Sequence, residues 1–113
     1  MTPQTIYSAL AEVATTAYLA FPEGQAADPP FIVYSFSGSD DLYADNTNYS
    51  RIEALTIELY TDNKDFAKEA ALESALNGLG LAFSRAEAWI ESERLYEVTY
   101  TTEVLLEPPT TED

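Results

Sequence analysis

The chain has 113 residues with 20 acidic and five basic side chains, a formal net charge of -15, and neither cysteine nor histidine. That length bounds one domain with a real core, and the missing residue types exclude disulfides, thiolate chemistry, imidazole ligands and histidine triads. A surface of this sign also excludes gripping of nucleic acid or of anionic lipid, which needs clustered Lys and Arg. The five basic residues, Arg51, Lys64, Lys68, Arg85 and Arg94, are scattered. A hydrophobic fraction of 46% and an aromatic fraction of 12% mark a folded chain. The N-terminus lacks a basic segment followed by an apolar core, so no signal peptide is expected. No apolar run approaches the roughly 20 residues needed to span a bilayer. The expected location during synthesis is therefore the cytosol.

In chain order, Thr2 is a candidate N-cap with Pro3 at the first helical position, and Ile6, Ala9, Leu10 and Val13 recur at helical spacing. These predict a helix over 3–14. "TTAYLAF" predicts a short strand, and "PEGQAADPP" is turn material because its glycine and prolines resist regular structure. "FIVYSFS" (31–37) is β-branched and aromatic, hence a strand. In "SRIEALTIELY" (50–60), Leu55, Ile57 and Leu59 alternate with Thr56 and Glu58, as in a strand with one buried face. The two strands and the acidic stretch between them predict a long hairpin.

"TDNKDFAKEAALESALNGLG" predicts the clearest helix, capped by Thr61 or Asp62, with Asp65 near the positive end of its dipole. Phe66, Leu72, Leu76 and Leu79 form its apolar stripe, and Gly78 or Gly80 stops it. Strands over 82–91 and 95–106 follow. In the second, Tyr96, Val98, Tyr100, Val104 and Leu106 share one face and Glu97, Thr99, Thr101 and Glu103 the other. The fold class implied is α+β: a mainly antiparallel sheet with two helices on one face and a long projecting hairpin. The domain is expected over 1–106, with 107–113 a disordered acidic tail.

The chemistry of sites is sparse. The acidic loop "SGSDDLYADNTN" fails the EF-hand spacing from either Asp41 or Asp45, because Tyr43, Asn46 or Tyr49 falls where a ligand or glycine is required. A solvated loop whose Asp and Asn side chains bond their own backbone is the simpler reading. Glu91 and Glu93 are two apart, which on a strand places them on one face, and Glu53 and Glu58 frame another strand. Twenty acidic residues produce such pairs by chance, so no catalytic residue, metal or cofactor is assigned. "GLG" (78–80) follows a helix instead of preceding one, so it stops a helix and cradles no phosphate. Trp89, beside Ile90, is read first as half-buried packing and second as an interface residue.

"FPEGQAADPPFIVY", "DNTNY", "IELYTDNKDFAKEAALESAL" and "WIESERLYEVTYTTEVLL" stand in this order from near Ile6 to Leu106. The ordered set resembles the tail terminator or tail-completion proteins of long-tailed phages and prophages of Gram-positive bacteria. The resemblance implies a non-enzymatic α+β subunit, without a cofactor, that forms a ring on the end of the tail tube. In the virion the ring is expected to be hexameric, at the head-proximal end of the tail, while the free chain is a monomer held apart by its charge. Its partners would be further copies of itself, the tail tube protein and the head-tail connector, with genomic DNA passing the negative lumen unbound. Asp40, Asp41, Tyr43, Asp45, Tyr49 and Trp89 are the expected interface residues. Two alternatives share the acidity: a head-closure ring of the connector, and a DNA-mimicking inhibitor of a host protein.

Overall fold

The structure, a computed structural model, describes residues 1–21, 27–39 and 51–107. Helix α1 runs Pro3–Ala11, opened by Thr2, whose Oγ1 accepts the Thr5 N–H at 3.2 Å. It is one turn shorter than its periodicity predicts. Val13 and Ala14 both donate to the Leu10 carbonyl, which ends the helix in time for Thr15–Tyr18, strand β1, to reach the sheet. Strand β2 (Phe31–Ser39) and strand β3 (Arg51–Thr61) pair antiparallel, as the alternation of β3 requires. The register slips by one residue between Phe36 and Ser39, a bulge that adds twist to that end of the hairpin. The hairpin tip lies outside the described residues.

Helix α2 spans Phe66–Gly78. Its N-cap is Asp65, whose carboxylate accepts the Lys68 N–H at 2.9 Å, rather than Thr61 or Asp62. Thr61 stays in the sheet, its hydroxyl donating to the Asn63 carbonyl at 2.7 Å. Starting the helix at Phe66 turns that ring outward, 74% exposed, so it leaves the predicted stripe. The C-terminus is a Schellman motif: Leu81 N–H donates to Leu76, Gly80 N–H to Asn77, and Gly80 takes φ +77°. Leu81 is buried, as the apolar residue after that motif usually is. Strand β4 (Phe83–Ile90) and strand β5 (Leu95–Leu106) close the fold.

The five strands lie in the order β1-β2-β3-β5-β4, antiparallel except for the parallel pair β1/β2 at one edge. Ile6 and Leu10 of α1 and Leu72 and Leu76 of α2 pack on Ile32, Tyr34, Leu55, Ile57, Leu59, Val98, Tyr100 and Val104. Both helices therefore cover one face, and the α+β class stands. β3 and β5 pair over their full lengths, from Arg51↔Leu106 to Thr61↔Tyr96, whereas β4 pairs only as far as Phe83↔Thr102. The ends of β2, β3 and β5 consequently run on past β4 as a three-stranded extension. The radius of gyration, 15.4 Å, exceeds the roughly 13 Å of a compact chain of about 100 residues. Just past the end of β5, the Glu107 N–H donates to the Met1 carbonyl at 3.0 Å.

Candidate functional site

Of the predicted interface residues, Asp40, Asp41, Tyr43, Asp45 and Tyr49 lie outside the described residues. Trp89 sits on the edge strand β4 opposite Tyr96, 44% exposed, with its indole N–H donating to Glu91 Oε1 at 2.8 Å. Glu91 and Glu93 do not share a strand face. They fall in the β4–β5 turn, where Glu93 N–H donates to Ile90 and Arg94 N–H to Glu91. Glu53 and Glu58 part likewise: by register, Glu53 opposite Val104 faces the helices and Glu58 opposite Thr99 faces away. The acid pairs weighed as catalysts are not assembled.

A different group of charges is brought together where α2 crosses β4 and β5. Glu69 and Glu73, one turn apart on α2, meet Arg85 and Glu87 of β4 and Lys64 of the loop before α2. Lys64 Nζ lies 2.9 Å from Glu69 and 2.8 Å from Glu87, and Arg85 lies 3.0 Å from Glu73 and 3.5 Å from Glu69 and Glu87. Tyr100 donates to Glu73 at 2.8 Å, and the Tyr96 hydroxyl donates to Glu87. Lys64 also lies over the rings of Phe66 and Tyr96, 4.9 and 5.5 Å from their centroids, which gives the outward Phe66 a contact. Hydrogen bonds from Lys64 and Tyr96 hold the Glu87 carboxyl below its ordinary range. Burial and the bond to Glu73 push the Tyr100 phenol up.

Glu69 is the residue that periodicity hides. It occupies the inward position three before Leu72 and seven before Leu76, 3% exposed, and its Oε2 has no hydrogen-bond partner. The signal was present in the inward positions of β4, which read Phe83, Arg85, Glu87 and Trp89 where apolar residues are usual. Its meaning depends on α2 crossing that strand. Chemically the cluster is a set of carboxylates met by cations, which clamps helix to sheet. Lys68 adds a second clamp, donating from Nζ to the Val13 carbonyl at 3.0 Å.

The outward face of the sheet has another character. Phe31, Tyr60, Glu97 and Ala88 form one cross-strand row; Val33, Glu58, Thr99 and Ala86 form the next; Ser35, Thr56, Thr101 and Ser84 form a third. No described helix covers it. Phe31 and Tyr60 stack at 4.9 Å and 24°, and Phe21 meets Phe31 edge-on at 5.4 Å. Tyr60 donates to Glu97 Oε2 at 2.9 Å. Burial, then repulsion from Glu97, push the Glu58 carboxyl above its ordinary range. A notch of about 520 Å³ opens where β5 outruns β4, lined by Ala54, Leu81, Phe83, Thr101, Thr102 and Glu103. Among the described residues no group of His, Cys, Asp and Glu is arranged to hold a metal ion, and no helix is long and apolar enough to cross a membrane.

No family model and no curated protein matches this chain. Among solved structures, a chain in the virion of a native gene transfer agent (GTA) particle is similar in fold. The TM-score is 0.56 at 19% identity, over 93% of this chain and 90% of that one. At that identity the likeness is one of fold: the same α+β arrangement, nearly end to end, is found in a chain of a virion particle.

Proposed function

We propose that this chain is a structural subunit of a phage-like virion: a tail terminator that closes the head-proximal end of the tail tube as a ring and joins it to the head connector. The observation that carries this reading is the fold shared over 93% of the chain with a chain of a GTA virion. The ordered motifs that resemble tail-completion proteins narrow it from virion component to terminator. In this role the three-stranded extension reaches a neighbouring subunit. Asp40, Asp41, Tyr43, Asp45 and Tyr49 serve that contact, and the exposed Trp89 on the edge strand serves another. No catalytic step and no cofactor belong to it.

The charge fits a ring around passing DNA, since a negative wall does not retain phosphate. The same charge sets subunits against each other, so apolar and strand contacts must outweigh repulsion at every interface. Exposed ion pairs contribute only about 0–1 kcal/mol each and cannot do this. Closure is therefore favoured by salt or by a tube end that templates it. Light scattering of the pure protein at low and high salt, with and without tail tube protein, tests the reading. A ring-sized species at high salt, or on tubes alone, is expected; a monomer indifferent to both sinks the terminator role.

A further inference from the structure

The outward face combines two features that nothing else among the described residues satisfies. Between Leu19 and Phe21 on one side and Ile90 and Leu95 on the other runs an open groove of about 310 Å³, with the stacked Phe31–Tyr60 pair and Glu58 on its floor. Glu93 lines it as well, and Glu97, next to the lining, accepts a hydrogen bond from Tyr60. Among the described residues, no outward-facing strand position carries Lys or Arg. The internal cations are committed elsewhere: Lys64 and Arg85 to the cluster under α2, and Lys68 to Val13. Carboxylates and aromatic rings thus meet at a groove whose lining holds no positive charge.

We infer that this groove is the docking site for a partner protein that inserts an arginine flanked by apolar residues. The apolar walls accept the flanking side chains and the methylene stem. The aromatic rings beside it suit a planar guanidinium, and Glu58 and Glu97 accept its fork of N–H groups. Lysine, a compact and strongly hydrated charge, uses the rings less well. The raised Glu58 carboxyl agrees with this, since a cation in the groove relieves both its burial and its repulsion from Glu97. Nucleic acid is repelled by the same carboxylates. A second copy of this chain is a poor occupant: two outward faces meeting would set acid against acid. Of the cations with described side chains, Lys68 and Arg94 have no acidic partner among the described residues, and Lys68 is bound to the Val13 carbonyl, which leaves Arg94 as the cation a second copy would offer. This inference concerns the chemistry of a partner and holds whether or not the chain caps a tail tube.

The test is an NMR titration of the full isotope-labelled chain with the peptide N-acetyl-Leu-Arg-Leu-amide and, separately, its citrulline counterpart, which keeps the shape and loses the charge. Saturable shifts confined to Phe31, Val33, Glu58, Tyr60 and Glu97 are expected, with the citrulline peptide about tenfold weaker or more. The Glu58→Gln/Glu97→Gln double variant should lose a similar factor while the rest of its spectrum stays in place. Equal binding of both peptides, shifts spread over the acidic residues under α2, or binding that survives the double variant each overturn the inference. So does concentration-dependent self-association through the same resonances that Arg94→Ala abolishes, because the groove would then belong to a second copy.

Discussion

The two faces of this sheet treat the same side chain in opposite ways. Under α2, Glu87 receives hydrogen bonds from Lys64 and Tyr96 and its carboxyl is held low. On the outward face, Glu58 is partly buried beside Glu97 and its carboxyl is pushed high. Both residues lie on strands, and neither is distinguished by its sequence neighbours. The difference is the supply of positive charge: Lys64, Lys68 and Arg85, three of the five basic residues, are gathered on the helix side, and the outward strand positions have none among the described residues. On one face the carboxylates meet cations of the same chain; on the other, Glu58 and Glu97 meet none among the described residues.

The largest expected contrast compares neighbours on β3 that point to opposite faces. Ile57→Ala, at a fully buried core position, should cost about 2–5 kcal/mol in a urea titration. A cost below about 1 kcal/mol would mean that the helices do not seal that face. Tyr100→Phe removes the hydroxyl that donates to Glu73 and should cost about 1–2 kcal/mol, measured the same way. An unchanged midpoint would show that Arg85 alone satisfies Glu73.

The pH response sharpens the comparison further. Glu87, lowered in the folded state, contributes stability that is present above the ordinary carboxylate value of 4.5 and is lost as pH falls through its lowered one. Glu58, raised in the folded state, works the other way: the fold takes up this proton more readily than the unfolded chain, so stability is lost as pH rises through the raised value. Carboxyl NMR titration should place the Glu58 midpoint above 4.5 and that of Glu87 below it. The reverse order would break the contrast. In line with this, Glu58→Gln should raise the unfolding midpoint at pH 7, and a lowered one would show that the charge is stabilising where it stands. The smallest effect belongs to Thr56→Ala on the outward face, within about 0.5 kcal/mol of the parent by urea titration.

Much of the fold was legible because its signals are local. The alternation of Leu55, Ile57 and Leu59, the two faces of β5, the Thr2–Pro3 helix start and the Gly80 stop each depend on residues a few positions apart. Where local signals competed, the structure chose. Asp65 displaced Thr61 as the cap because Thr61 was already committed to the sheet, and Phe66 left the core once Asp65 opened the helix. Glu91 and Glu93 read as strand neighbours until the chain turned at Ile90.

Strand content, helix positions and the excess of negative charge were set by composition and short-range pattern, through backbone sterics and the burial of alternate side chains. Strand order, the parallel pairing of β1, and the sorting of carboxylates into neutralised and unneutralised sites were not. These depend on contacts between distant residues: Arg85 with Glu69, 16 apart, Lys64 with Glu87, 23 apart, and Tyr60 with Glu97, 37 apart. A charge acts on whatever folding brings within a few ångströms of it, and here only the packing of α2 across β4 determines which acids meet a base.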